Sequence, residues 1–158
     1  MEHEKMTWVV HTYSPLLLRT AFLYLKNTAD AEDAVQDVFL ALWKRQPRFE
    51  NEAACKAWLY KAVCNRCKDQ LRSGWLRHRA QLTEDLSYLP KEQSDLMDAL
   101  LSLEEKYRIP LHLHYYEGYT ISEIAAILKL PPNTVGSRLY RGRALLKQKL
   151  GGVFDEIV

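Results

Sequence analysis

Three groups of residues have the types and spacing to do chemistry. The first is a comb of cations. Between Lys129 and Lys149 stand Lys129, Arg138, Arg141, Arg143, Lys147 and Lys149, with no acid among them. The chain as a whole carries a formal charge of only +2, so this charge is concentrated rather than spread. Such local density is the electrostatic footprint of a phosphate-binding surface. A solvated helix face is the plainer reading, and charge alone does not choose between them. The second group is aromatic. Trp58 and Tyr60 lie among Lys56, Lys61, Arg66 and Lys68. Rings interleaved with cations suit single-stranded nucleic acid, because bases stack on the rings while the cations meet phosphates. Here the plainer reading is that Trp58 packs in a core.

The third group is Cys55, Cys64 and Cys67, the last two spaced C-x-x-C. A tetrahedral zinc site needs four ligands, and no histidine stands close in sequence to supply the fourth. Trp58, Leu59, Ala62, Val63, Cys67 and Leu71 recur at helical spacing, so Cys67 falls on an apolar stripe. Free cysteine behaves there as a small hydrophobe. No metal or other cofactor is expected. The sequence offers no nucleophile–base constellation, glycine-rich phosphate loop or carboxylate pair at catalytic spacing. An enzyme is therefore not expected, nor a small-molecule substrate.

The elements that must hold these groups follow from length and punctuation. A chain of 158 residues makes one medium domain or two small ones. No apolar run reaches the roughly 20 residues of a membrane span, and "MEHEKMTWVV" lacks the order of a signal peptide, so a cytoplasmic protein is expected. The odd cysteine count argues the same way, against a disulfide framework. Pro15, Pro47, Pro90, Pro110, Pro131 and Pro132 separate segments of helical period, and no alternating strand pattern appears. The fold expected is all-α. A helix is predicted from Pro15 to Lys26. The next is predicted to be capped at Asp30, with Val35, Val38, Phe39 and Leu42 on its buried stripe and Glu32, Asp33, Gln36 and Asp37 outward. A loop over "QPRFENEAA" leads to one long helix, "CKAWLYKAVCNRCKDQLRS".

From Ser73 to Ser94 the periodicity is lost and a flexible linker is expected. It divides the chain into domains at 1–74 and 95–152, with the linker at 75–94. In the second domain Leu96, Leu100, Leu101 and Leu103 suit a short helix. Leu111, Leu113, Tyr115 and Tyr116 suit another after Pro110. Thr120 with Glu123 forms a capping box, and Pro132 can open the following helix. Val135, Leu139, Leu145 and Leu146 are expected inward on that helix. Asn133, Thr134, Ser137, Arg138 and Arg141 are expected outward. Two short helices with a tight turn, the second basic and polar outside, describe a helix-turn-helix whose second helix fits the DNA major groove.

"DAEDAVQDVFLALWK", "AWLYKAVCNRCKDQLR" and "YTISEIAAILKLPPNTVGSRLYRGRALLK" resemble, in order, the three signature stretches of the extracytoplasmic-function (group IV) sigma factors of the bacterial sigma-70 family. The resemblance runs from about Tyr13 to Leu150. It implies a protein that binds core RNA polymerase and directs promoter recognition, DNA melting and transcription initiation. Asp33, Gln36 and Asp37 match the segment that docks on the polymerase. Arg48, Phe49, Lys56, Trp58, Tyr60 and Asn65 match the minus-ten reader, which captures a base of the melted single strand. Asn133, Thr134, Ser137, Arg138 and Arg141 match the reader of the double-stranded minus-thirty-five element. An anti-sigma factor is implied as a further partner. The chain departs from the family where Pro131 replaces a serine-like helix cap and where Gly136 replaces a common basic residue. The alternative is a stand-alone helix-turn-helix transcriptional regulator, which would normally carry a sensing domain; no βα pattern for one appears in the first 72 residues.

Overall fold

The computed structural model describes residues 2–73 and 94–151. The stretch expected as a linker lies outside them, except Ser94, which opens a helix. Two compact units divide the chain, one holding the first three helices and the other the rest. The described residues are helical and contain no strand.

The first unit is built from α1 (His3–Leu25), α2 (Thr28–Arg45) and α3 (Glu52–Arg72). Helix α1 begins far earlier than Pro15, which sits inside it. A proline there costs about 3 kcal/mol and leaves the His11 carbonyl without its helical donor. Both Pro15 and His11 are exposed, so water can serve that carbonyl. On the other side Val9, Tyr13, Leu17 and Ala21 are buried every fourth residue across the proline. Burial of that stripe holds the helix continuous. Asn27, not Asp30, caps α2: its side-chain oxygen accepts the Asp30 N–H at 2.9 Å. Asparagine and aspartate cap equally well, so spacing alone did not separate them. Asp30 is itself buried in the first turn. The stripe of Val35, Val38, Phe39 and Leu42 is buried as expected. Helix α3 is capped by Asn51 through the Ala54 N–H at 2.9 Å. Leu59, Val63, Cys64 and Cys67 line its core side.

The second unit comprises α4 (Ser94–Leu101), α5 (Glu105–Leu111), a π-helical segment (His112–Tyr116), α6 (Ile121–Leu128) and α7 (Pro132–Leu150). Pro110 does not separate helices. It lies buried inside α5, which ends at Leu111 and widens into the π-helical segment at His112. Ile109, Leu111 and Leu113 are all buried, so one apolar run is packed through the irregularity. The wide turn closes with the Glu117 N–H donating to the His112 carbonyl at 3.1 Å. Two buried polar groups brace this corner. Arg108 Nη1 donates to the Leu103 carbonyl at 2.7 Å, and His112 Nε2 lies 3.3 Å from Glu117 Oε1. Gly118, at φ +77°, turns the chain into α6 in a conformation that glycine adopts without strain.

Candidate polymerase and nucleic-acid interfaces

Helix α2 presents the residues expected at the polymerase. Asp33 and Gln36 are exposed. Asp37 is half-exposed and already engaged: Arg66 of α3 reaches its Oδ2 through Nη2 at 2.8 Å and Nε at 2.9 Å. Steps of three and four residues from Gln36 lead to Leu40 and Trp43, which are also exposed. The face is thus acidic and polar at its start and apolar at its end. Leu40 and Trp43 line an open groove with Met6, Val10 and Leu18 of α1. Sequence reasoning missed both. The signal was present, since neither falls on the buried stripe of α2 and two large apolar residues off that stripe must meet solvent or a partner.

The loop before α3 and the start of α3 gather the aromatic group. Phe49 and Trp58 pack edge to face, with ring centroids 6.2 Å apart and planes at 64°. Both are partly exposed, and Arg48 beside them is exposed. Asn65 lies seven residues beyond Trp58, on the same side of α3 and partly exposed. Tyr60 does not join them. It is 0% exposed and among the largest side chains in the core. Positions two apart on a helix point in opposed directions, so Trp58 and Tyr60 cannot share one face. Lys56 stays beside Tyr60, its Nζ 5.8 Å from the ring centroid. Cys55, Cys64 and Cys67 are buried and form no disulfide, and the described residues hold no group of at least three His, Cys, Asp or Glu side chains able to hold a metal ion. Burial pushes the Cys55 thiol up from its ordinary value, with Lys5 pulling it down and Glu52 adding to the rise. Burial also raises Tyr13, and nearby Cys55 and Glu52 add to it.

The α6–α7 pair forms as its sequence dictates. Thr120 accepts the Glu123 N–H at 3.2 Å and Glu123 accepts the Thr120 N–H at 3.0 Å, a complete capping box. Lys129 ends α6 in the left-handed conformation, its N–H bonded to the Ala125 carbonyl. Pro131 occupies the cap of α7 without a side-chain bond, and its carbonyl accepts the Thr134 and Val135 N–H groups instead. Val135, Leu139, Gly142 and Leu146 face the core, whereas Leu145 is only partly buried. At Gly142 α7 packs close against α5. A Cβ there would stand 3.0 Å from Leu111 Cδ1 and 3.3 Å from Tyr107 Cβ. Asn133, Ser137 and Arg141 are exposed on the side away from the core. Thr134 and Arg138 are partly buried and lie on its shoulder. Tyr140 stands on the outward side too, unanticipated from the sequence.

The two units correspond to two known families. Residues 9–77 match the model of Sigma-70 region 2, and residues 86–146 match that of Sigma-70, region 4. The ECF RNA polymerase sigma factor SigM of Mycobacterium tuberculosis is 31% identical over 141 residues, covering 85% of this chain and 71% of SigM. The RNA polymerase sigma factor SigV of Bacillus subtilis is 32% identical over 138 residues, covering 84% and 82%. This chain belongs to the extracytoplasmic-function sigma factors. The fold agrees. The sigma factor RpoE of Bartonella quintana, solved with the anti-sigma factor NepR, superposes with a TM-score of 0.77 at 25% identity, over 94% of this sigma factor and 98% of RpoE. CnrH, solved with the cytosolic domain of CnrY, superposes with a TM-score of 0.70 at 25% identity. The region 2 match spans the acidic–apolar face of α2 and the Phe49–Trp58 pair. The region 4 match spans the helix-turn-helix.

Proposed function

We propose that this sigma factor divides promoter recognition between its two units and contributes no catalysis of its own. Its function is to direct RNA polymerase to promoters. In this reading Asp33, Gln36 and Asp37 of α2 dock on a basic surface of core polymerase, with Leu40 and Trp43 adding apolar contact. Arg48, Phe49, Lys56, Trp58 and Asn65 hold the melted minus-ten strand. Extruding a base costs a few kcal/mol, which stacking and phosphate neutralisation must offset. The Phe49–Trp58 pair supplies rings held in place before DNA arrives, so little ordering cost remains to be met on binding. Tyr60 supports this site from the core and does not stack. Helix α7 reads the minus-thirty-five element through Asn133, Thr134, Ser137, Arg138 and Arg141. Tethering the two readers, at 1–74 and 95–152, makes the second engagement effectively intramolecular, so the spacing between promoter elements is measured as well.

The observation that carries this reading is the pairing, in one chain, of a region 2 unit bearing an open aromatic pair with a region 4 unit bearing a basic recognition helix. A stand-alone regulator leaves the first unit without a task. The sigma factor works in the cytoplasm, takes no cofactor or small-molecule substrate, and is held by an anti-sigma factor, as RpoE of Bartonella quintana is in its structure with NepR. Among the described residues no helix is long and apolar enough to cross a membrane. Purified core polymerase provides the test. Binding of the full chain, followed by transcription from a subset of a promoter library, is the expected result. Failure to bind core while the full chain still binds duplex DNA would overturn it.

A further inference from the structure

The chain enters the helix-turn-helix through Gly118, and the residues on either side of that glycine are tied back to the π-helical segment. The Glu117 N–H donates to the His112 carbonyl at 3.1 Å, and the Tyr119 N–H donates to the Leu113 carbonyl at 2.9 Å. Both bonds reach further along the chain than the four-residue step of an α-helix, and the widened turn allows that reach. A third tie comes from a side chain. His114 Nδ1 lies 2.8 Å from the Tyr119 carbonyl oxygen. A carbonyl can only accept, so Nδ1 carries the proton, and in the neutral ring Nε2 is then bare. The same imidazole meets the Tyr115 ring edge to face, with centroids 4.8 Å apart and planes at 82°. Arg143 of α7 stands over that Tyr115 ring, its guanidinium carbon 5.6 Å from the centroid. The Tyr119 carbonyl immediately precedes Thr120, the cap of α6. One partly buried ring thus touches the entry of α6 and the side chain that meets α7.

We infer that His114 is a positioning residue for promoter reading: from the π-helical segment it fixes the entry of α6 through the Tyr119 carbonyl and steadies the Tyr115 ring beneath Arg143 of α7. The inference rests on the assignment of the helix-turn-helix to the minus-thirty-five element and adds to it a residue outside the reading face. The physical need is at Gly118, whose φ of +77° marks a pivot with the backbone freedom of glycine. A recognition helix reads bases only in the fraction of molecules that hold it at the competent angle, and that fraction scales the affinity. Bonds on both the N–H and the carbonyl of Tyr119 hold the angle before DNA arrives.

The free full chain and its holoenzyme give independent tests. With the ring neutral, nitrogen-15 shifts of His114 in the free chain should show the proton on Nδ1. A proton on Nε2 would overturn the inference. In the holoenzyme the readout is a ratio: affinity for a promoter over affinity for the same promoter with its minus-thirty-five segment scrambled. His114→Phe keeps a ring against Tyr115 and removes the donor, and it should lower the ratio by about two- to ten-fold, the net worth of one neutral hydrogen bond. His114→Asn carries an amide N–H to the place of Nδ1 and should recover most of the ratio. A residue that only stabilises the unit would lower binding to both promoters alike and would not be rescued by the amide. An unchanged ratio in His114→Phe, or equal losses in His114→Phe and His114→Asn, would overturn the inference and leave the interface standing. A parent holoenzyme with no preference for the intact segment would overturn the interface and the inference together.

Discussion

The two proposed recognition surfaces are made in opposite ways. On the first unit the groups are engaged with one another before any partner arrives: Asp37 with Arg66, Phe49 with Trp58, Lys56 with the ring of Tyr60. On the second unit Arg141 of α7 faces outward in a stretch with no acid from Lys129 to Lys149, and of its neighbours Arg138 lies on the shoulder and Arg143 over the Tyr115 ring. A surface that must distort DNA and hold an extruded base gains from rigid, prepacked rings. A surface that must find and slide along duplex gains from net positive charge, which steers association and is sensitive to salt. The difference matches the two proposed tasks: prepacking where energy would go into melting, open charge where it would go into docking.

The largest effects are expected on α7. Arg141 faces fully outward and Arg138 lies on the shoulder. Arg141→Ala should cost about 1–3 kcal/mol of promoter affinity and relax preference at one base position. Arg138→Ala should weaken binding evenly across sequences and lower the salt slope by about one. Affinity of the holoenzyme for single-base promoter variants over a salt series checks both. Reversed behaviour would exchange the two roles. The scaffold beneath gives the next largest effect. Gly142→Ala sets a methyl 3.0 Å from Leu111 Cδ1 and 3.3 Å from the Tyr107 Cβ; overpacking of about 1–3 kcal/mol is set against about 0.5–1 kcal/mol gained by replacing a helical glycine, and a net loss is expected. Hydrogen exchange should show α5 and α7 loosened while α2 and α3 keep their protection. Gly136→Ala, on the open side of the same helix, should instead stabilise it by about 0.5–1 kcal/mol. Two glycines six residues apart thus report a packed and an open side of one helix.

How much of this could be read from the sequence differs between the units in the same way. The helix-turn-helix was legible almost residue by residue, because capping box, turn and Pro132 are local signals acting over three or four residues. The first unit was legible in its buried stripe on α2 but not in its corners. Pro15 was expected to open a helix, and the continuous stripe from Val9 to Ala21 carries α1 through it instead. Asp30 was expected at a cap that Asn27 occupies. Tyr60 was placed with Trp58 by composition, when a step of two residues on a helix separates them. Leu40, Trp43 and Tyr140 were overlooked because large apolar residues are assumed to be core until burial is known. For Pro15 the deciding term was tertiary burial, which local pattern does not contain, whereas helical spacing alone already separates Tyr60 from Trp58 and sets Leu40 and Trp43 off the buried stripe. The Pro110 corner shows the same: packing of Ile109, Leu111 and Leu113 tolerates a missing hydrogen bond and a widened turn.

A smaller effect sharpens the contrast on the first unit. The Asp37–Arg66 pair is well exposed at both ends. Exposed pairs contribute about 0.2–1 kcal/mol, so a double-mutant cycle of Asp37→Asn with Arg66→Ala should find a coupling in that range for folding. If Asp37 also meets polymerase, Asp37→Asn should weaken core binding by more than this coupling. Arg66→Ala should leave core binding intact or improve it, because the carboxylate is then free for the partner. Equal losses from both variants would mean that the pair acts on polymerase only through the shape of the unit.

The smallest effect is expected in alkali, and it separates the units again. All three cysteines of the chain lie in the first unit, and Cys55 and Tyr13 meet there between α3 and α1. Burial is the chief cause of the upward shift in both, and Cys55, once charged, adds to the rise of Tyr13. The sign follows from proton counting. Above the ordinary thiol value of 9.0 and the ordinary phenol value of 10.0, the unfolded chain releases these protons while the folded chain retains them. The folded state then binds more protons, so stability falls as pH rises through this range and is fully present below it. Urea midpoints followed by hydrogen exchange in α1 and α3 should decline above about pH 9. Cys55→Ala should flatten the early part of that decline, because it removes the group that titrates first. A decline of unchanged slope in Cys55→Ala would assign the alkaline sensitivity to other groups and leave Cys55 as packing alone.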